Sequence, residues 1–120
     1  MSDGRGVGVR GEELAARHLQ QSGLVIIARN VRLSAGEIDL VTHDGQETVI
    51  VEVKTRIGDN STAPDSAVTP AKLARLDRLG DEYMASCGTP DAPWRVDVVA
   101  IVLGRDGRVL HLDHLQGAYL

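Results

Sequence analysis

The sequence predicts an α/β protein in which helices pack on a mixed β-sheet. Two segments have apolar residues at helical spacing together with start and stop signals, and short β-branched runs lie between them. A nearly continuous apolar run, residues 95–103, is typical of a strand that is buried on both faces. The resulting order of elements, α-β-β-β-α-β-β, suits two helices packed on a single sheet.

Size and composition limit the possible functions. A chain of 120 residues is long enough for one hydrophobic core, so we expect a single domain over residues 1–120. Phe is absent and aromatic residues make up 2% of the chain, which leaves few rings to stack on single-stranded bases. The formal net charge is -4, so contact with DNA requires a local basic surface or a partner.

Cysteine content and hydropathy indicate the compartment. The single cysteine, Cys87, excludes an internal disulfide and a C-x-x-C metal site. No apolar run is long enough to span a bilayer, and the N-terminus has no apolar signal segment. We therefore expect a cytoplasmic protein without membrane association.

The N-terminal region is predicted to be a disordered segment followed by a helix. Residues 1–8 are small and Gly-rich, and residues 9–22 predict a helix that ends at Gly23. Residues 6–11 match the pattern G-x-G-x-x-G, but dinucleotide binding requires a preceding strand for which there is no room. Glu12 shares the apolar stripe of this helix, where a carboxylate is costly without a partner, unless it only satisfies the helix dipole.

Residues 36–56 predict a β-hairpin with strands near 37–43 and 47–55, after a first strand at 24–30. Asp44-Gly45 favours a two-residue turn, in which Glu37 faces Glu52 and Asp39 faces Ile50. A four-residue loop over 44–47 would instead place Asp39 directly opposite Glu52. A three-residue loop without a bulge would separate the two acids onto opposite faces.

Charged residues of the hairpin share one face in the two-residue and four-residue registers, because side chains alternate with period two. The residues on this face are Glu37, Asp39, Glu52, Lys54 and Arg56. Asp39 and Glu52 can then converge on one cation, and opposed acids cost stability unless a metal ion or a base compensates them. The same alternation also fits an ordinary half-solvated hairpin without a site.

The second half of the chain contains a loop, a helix and two strands. Residues 57–68 are rich in loop formers and predict a flexible loop, which is either a lid beside the site or a connection without a function of its own. Thr69-Pro70 starts a helix that runs to about Cys87. Lys72, Arg75 and Arg78 recur every three positions on it, which fits either a solvated face or a phosphate-binding surface.

A turn at Asp106-Gly107 leads into a short edge strand over residues 108–112. His111 and His114 lie at the end of this segment. Outside a helix, their spacing is poorly suited to binding one metal ion together. We expect residues 111–114 to form a surface tail.

Several stretches in one order resemble the YraN family of small bacterial proteins and, through it, the PD-(D/E)XK restriction-endonuclease-like superfamily and archaeal Holliday junction resolvases. The similarity spans about residues 6–103. The stretches that carry it are Gly8–Ala15, Ala28–Arg32, Gly36–Leu40, Val51–Arg56, Ala67–Lys72 and Arg95–Val99. Ile38 replaces the superfamily's Pro before the first acid, as in other YraN members, and Val96 stands where an aromatic is usual.

The resemblance implies a Mg²⁺- or Mn²⁺-dependent endonuclease that acts on DNA, with branched or structured DNA as the expected substrate, and leaves a 5′-phosphate. Asp39, Glu52 and Lys54 would be catalytic. Asp39, Glu52, Glu12 and the Val53 carbonyl would hold the metal ion, since hard oxygen ligands suit Mg²⁺. Residues expected to contact DNA phosphates are Arg56 and Lys72, with Arg75, Arg29 and Arg32 as weaker candidates. A catalytically silent DNA- or protein-binding module is the alternative, and either protein could act as a homodimer.

Overall fold

The computed structural model describes the backbone of residues 4–118 and the side chains of residues 6–118. Its elements are α1 (Gly4–Gln21), β1 (Val25–Leu33), β2 (Gly36–His43), β3 (Thr48–Ile57), α2 (Pro70–Ser86), β4 (Trp94–Leu103) and β5 (Val109–Leu115). The five strands form one sheet in the order β1-β2-β3-β4-β5. β3 and β4 are parallel and the other neighbours are antiparallel. The predicted mixed sheet and element order are therefore confirmed.

Each face of the sheet carries one helix and its own apolar core. On one face, α1 packs through residues such as Ala15 and Leu19 against Leu40 and Val51. On the other face, Leu76 and Leu79 of α2 belong to a second core. The residues of β4 from Val96 to Leu103 are all buried, as the apolar run predicted.

Helix α1 begins at Gly4, whereas the sequence predicted a disordered segment up to residue 8 and a helix from residue 9. Residues 1–3 of that predicted segment lie outside the described residues. The glycine pattern at 6–11 lies within the helix and forms no phosphate-binding loop after a strand. Gly11 has a packing role, because a Cβ there would lie 1.8 Å from Thr55 Oγ1 of β3. The helix backbone can therefore approach the strand closely.

The β2–β3 hairpin uses the four-residue loop, so the two-residue register was wrong. His43 pairs with Thr48, and Leu40 pairs with Val51. The reason is the Asp44 side chain, whose Oδ1 accepts hydrogen bonds from the backbone N–H groups of Gln46 and Glu47, both at 2.8 Å. These bonds stabilise a wider loop than the two-residue turn that Asp-Gly usually forms.

β2 and β3 separate beyond the Leu40–Val51 pair, while β3 stays paired with β4 as far as Ile57 and Leu103. We call this opening between β2 and β3 the fork. Continuing the observed register would put Asp39 opposite Glu52, at the start of the fork. The acids are therefore placed at a point where backbone pairing ends and side chains can enter.

The loop and the last strand complete the fold. Residues 58–69 form neither helix nor strand, close to the predicted loop at 57–68. β5 extends to Leu115, and His114 lies in it with a side chain only 9% exposed. The expectation that residues 111–114 form a surface tail was therefore wrong. No helix within residues 4–118 is long and apolar enough to cross a membrane.

The reason for the burial of His114 is Asp97 on β4, which is fully buried. His114 Nε2 lies 2.8 Å from Asp97 Oδ2, and Arg95 Nε donates to Asp97 Oδ1 at 3.0 Å. Burial alone would raise the pKa of Asp97, but the hydrogen bonds from His114, Arg95 and the Gly117 N–H hold it below its usual value. His114 thus serves the fold, as a partner for a buried carboxylate.

Candidate functional site

Asp39 and Glu52 lie on the two sides of the fork. Glu52 is 8% exposed, and Asp39 is half-buried. Asp39 Oδ2 accepts a hydrogen bond of 2.8 Å from the Val53 N–H, which has no β2 carbonyl to pair with in the opened sheet. The first acid is therefore fixed to the strand that carries the second.

Two further acids approach Asp39, one from α1 and one from β2. Glu12 on α1 and Glu37 on β2 are bridged by Asn30, whose side-chain amide nitrogen, turned toward them, donates to both at 3.0 and 3.1 Å. We call Glu12, Glu37, Asp39 and Glu52 the acidic cluster. It brings the helical acid singled out in the sequence next to the two hairpin acids, and the structure adds Asn30.

Asn30 was not identified from the sequence as a site residue. It has a φ of 52°, in the left-handed region that Asn tolerates better than most residues. An Asn inside an otherwise apolar and basic strand was the available signal, because Asn is depleted from regular strands.

Two members of the acidic cluster, Asp39 and Glu12, lie where their ionised forms are disfavoured. Burial, together with the nearby Glu52, Glu12 and Glu37, raises the pKa of Asp39 to about 7 against the opposing effect of the Val53 N–H. Burial also raises the pKa of Glu12, which the Asn30 hydrogen bond partly offsets. A carboxylate in such a position gains most from a nearby positive charge.

Two lysines lie beside the acidic cluster, and both are engaged by protein groups. Lys72 Nζ of α2 forms a 2.6 Å ion pair with Glu52 Oε1. Lys54 Nζ donates to the Ala67 carbonyl and lies 3.6 Å from Asp65 Oδ2, so it points toward the loop at 58–69. The resemblance implies that Lys72 contacts a DNA phosphate and that Lys54 is catalytic. In the structure Lys72 contacts an acid of the cluster instead.

The predicted DNA-contacting arginines divide into two groups. Arg56 and Arg75 lie on the side of β3 and α2, where Arg56 donates to the Ala63 carbonyl at 3.3 Å. Arg75 Nε is the one buried side-chain polar atom without a hydrogen-bond partner among the residues described. Arg29 and Arg32 lie on β1, where they pair with Glu13 and Glu37. The structure does not gather all five predicted cations on one surface.

The acidic cluster fits a hard divalent cation by the type of its donors. Carboxylate and carbonyl oxygens are the ligands that Mg²⁺ and Mn²⁺ prefer. Within residues 4–118, however, no three His, Cys, Asp or Glu side chains are arranged to hold a metal ion. Glu52 faces Lys72 and Asp39 faces the Val53 N–H, so binding of a metal ion requires these partners to change.

Comparison with known sequences identifies one family. The profile described as "Uncharacterised protein family UPF0102" matches residues 11–101. A UPF0102 protein of Symbiobacterium thermophilum is 51% identical over 115 residues, which cover 96% of this chain and 97% of that protein. A UPF0102 protein of a Nocardioides species is 45% identical over 111 residues, covering 92% and 89%.

A solved structure is similar in fold. The Holliday junction resolvase Hjc of Archaeoglobus fulgidus matches with a TM-score of 0.51 at 15% identity, covering 89% of this chain and 73% of the resolvase. At this level of identity the similarity concerns the fold alone. It confirms the restriction-endonuclease-like architecture that the sequence predicted.

Proposed function

The chain belongs to the UPF0102 family, the YraN family that its sequence resembles, and on this premise we propose that it is a metal-dependent nuclease that hydrolyses phosphodiester bonds in DNA. The fold that it shares with an archaeal resolvase supports a nuclease-like scaffold. Branched DNA is the proposed substrate, because the resolvase's own substrate is a Holliday junction. The cytoplasm is the proposed compartment. Two copies of the chain acting together would suit cleavage of a symmetric junction.

The observation that carries this proposal is the acidic cluster at the fork. Burial and three neighbouring acids raise the pKa of Asp39 to about 7, a cost to the fold that a surface hairpin would not retain. A divalent cation bound between Asp39 and Glu52 would remove that cost. Strongly perturbed carboxylates in an opening of a sheet are more typical of a functional site than of a structural one.

The chain's own groups define the proposed chemistry. Asp39, Glu52, Glu12 and the Val53 carbonyl would hold Mg²⁺ or Mn²⁺. The bound ion would act as a Lewis acid on the phosphate and lower the pKa of water. Lys54, two residues beyond Glu52 on β3, would orient the attacking water and neutralise charge that develops on the phosphate. This role requires Lys54 to exchange its contacts with Asp65 and Ala67 for the substrate.

DNA contacts are proposed mainly on the side of α2. Lys72, Arg75 and Arg56 lie on the side of the sheet that carries the loop at 58–69 and α2. Arg29 and Arg32 on β1 would contact a second part of the duplex backbone. Since all of these groups can bind phosphates, they would position DNA without selecting its sequence.

A binding module without turnover is the second candidate, and one observation favours it. Lys72 already neutralises Glu52, and the Val53 N–H already occupies Asp39 Oδ2. If these partners stay in place, the acids are structural and the basic residues only bind DNA. Mutagenesis separates the two functions.

The first prediction concerns cleavage. The wild-type protein, incubated with Mn²⁺ or Mg²⁺, is expected to cut at least one of four DNA substrates: a four-way junction, a flap, a single strand or a plain duplex. Asp39→Asn, Glu52→Ala and Lys54→Ala should each lower the rate by roughly a hundredfold or more, since each removes a ligand or a group that stabilises the transition state. Gel assays of proteins purified in parallel measure this.

Asp113→Asn is the matched control, because Asp113 is an exposed acid on β5 away from the fork. It should cut at the wild-type rate. Cleavage that survives in Asp39→Asn and Glu52→Ala would contradict the proposed site. DNA binding without any cleavage by the wild type would favour the binding module.

A further inference from the structure

Lys72 lies at the boundary between the acidic cluster and a basic surface of α2. Its ammonium group contacts Glu52 Oε1 at 2.6 Å. The same residue also lines a depression of about 350 Å³ on the surface of α2. The lining residues of this depression are Thr69, Ala71, Lys72, Arg75 and Arg78. One flexible side chain therefore has access to two kinds of anion.

The depression has the charge that a phosphate requires. Lys72, Arg75 and Arg78 all come from one face of α2, and among the described residues no acid lines the depression with them. Arg75 belongs to this lining, and its Nε is buried and has no hydrogen-bond partner within the described residues. An anion bound here would attract the guanidinium group of Arg75 and the ammonium group of Lys72.

We propose that Lys72 is an exchangeable counter-ion that makes metal binding depend on DNA. In the free protein it neutralises Glu52 and keeps a divalent cation out. When a DNA backbone phosphate occupies the depression, Lys72 moves to the phosphate and Glu52 becomes available as a metal ligand. This inference rests on the proposed function, and it adds the order in which the site is assembled.

Because the ion pair is largely buried, the release of Lys72 from Glu52 and the binding of a metal ion to Glu52 are coupled. The Glu52 side chain is 11% exposed and that of Lys72 is 29% exposed, so the glutamate is the more buried partner. If Lys72 left alone, Glu52 would remain as an uncompensated charge beside Asp39, which is strongly unfavourable. A metal ion that replaces Lys72 removes this penalty. DNA and metal ion should consequently raise each other's affinity, by thermodynamic reciprocity.

The side chain is suited to such an exchange. Lysine carries a compact charge on a flexible stem with three rotatable donors, so it can turn from a carboxylate to a phosphate without a rigid geometry. The backbone of Lys72 stays fixed, because its N–H donates to the Thr69 hydroxyl at the start of α2. The movement would involve the side chain alone.

The test measures Mn²⁺ affinity without DNA, by electron paramagnetic resonance of free Mn²⁺. Lys72→Ala should bind Mn²⁺ about fivefold to tenfold more tightly than the wild type, because the competing ammonium group is gone. Arg78→Ala is the matched control, since Arg78 lines the same depression and has no contact with Glu52. It should leave the DNA-free Mn²⁺ affinity unchanged.

A second measurement follows the coupling itself. The affinity for a short phosphorothioate duplex, read by fluorescence anisotropy, should rise with Mn²⁺ about fivefold or more in the wild type. In Lys72→Ala this rise should be several-fold smaller, because Glu52 is free before DNA binds. Arg78→Ala should weaken DNA binding but keep the wild-type rise.

The outcomes separate this inference from the proposed function. If Mn²⁺ binds and depends on Asp39, but Lys72→Ala has wild-type affinity and wild-type coupling, the counter-ion role is wrong and the nuclease proposal stands. If neither the wild type nor Lys72→Ala shows Mn²⁺ binding that Asp39→Asn abolishes, the metal site is wrong and both proposals fail.

Discussion

Asp39 shows how much a single residue's position in the sequence can reveal. Its spacing from Glu52 predicted that the two acids would be neighbours on a hairpin, diagonally in the two-residue register or directly opposed in the four-residue one, and the structure has the four-residue loop. The spacing could not reveal that Glu12 also approaches Asp39, because that depends on how α1 and Asn30 pack. Nor could the spacing reveal that Lys72 would form an ion pair with Glu52.

A pH-dependent stability difference is predicted for Asp39→Asn in metal-free buffer. The pKa of Asp39 is about 7 in the folded protein, against an ordinary value of 3.8 for an aspartate side chain. The folded state therefore binds the proton more tightly, so stability from this group is present at low pH and is lost as the pH rises through about 7. Asn carries no charge and avoids that loss.

The free energy of unfolding of Asp39→Asn minus that of the wild type should therefore be larger at about pH 8 than at about pH 5.5. The expected increase in this difference is on the order of 2 kcal/mol. Urea unfolding at the two pH values, with a chelator present, measures the difference. Asp113→Asn, on the exposed part of β5, should show no such dependence. A gain for Asp39→Asn that is equal at both pH values would show that Asp39 titrates normally.

At the scale of elements, the contact between α1 and β3 determines where Glu12 lies. The sequence predicted α1 from its apolar stripe and its end at Gly23, but it gave no reason for glycine at position 11. The structure supplies one, since a Cβ at Gly11 would lie 1.8 Å from Thr55 Oγ1. Close packing between distant segments cannot be read from local pattern, and it is this packing that brings Glu12 toward Asp39.

Gly11→Ala should therefore destabilise the protein by about 1 to 3 kcal/mol, because β3 or α1 must shift to admit a methyl group. The same shift should move Glu12 away from Asp39 and weaken Mn²⁺ binding. Thermal or urea unfolding and Mn²⁺ titration measure the two effects.

Gly8→Ala is the matched control in the same helix, because nothing lies within 4 Å of a Cβ at that position. Alanine favours helix over glycine, so this variant should be stabilised by up to about 1 kcal/mol. Equal behaviour of the two variants would mean that the approach of α1 to β3 does not constrain the helix.

At the scale of the whole molecule, the element order was predictable and the long-range polar contacts were not. The apolar run of β4 indicated a strand buried on both faces, which the structure confirms. Asp97 within that run is stabilised by Arg95 and by His114 of β5. The sequence predicts His114 as part of a surface tail, because its partner Asp97 lies on a different strand and no local spacing connects the two residues.

The same architecture connects the fold with the proposed chemistry. One helix on each face of the sheet contributes to the site, Glu12 from α1 and Lys72 from α2, while β2 and β3 separate between them. The fork is thus the place where side chains from both helices lie beside those of the sheet. The proposed function depends on a cation entering this opening.

The most direct measurement is a crystal structure of the wild-type protein bound to a short phosphorothioate duplex and soaked with Mn²⁺, with anomalous scattering used to locate the metal ion. The account predicts a Mn²⁺ peak at the fork, bound by carboxylate oxygens of Asp39 and Glu52, with the ammonium group of Lys72 turned away from Glu52. A fork without a Mn²⁺ peak at saturating concentration, with Lys72 still paired to Glu52, would contradict it.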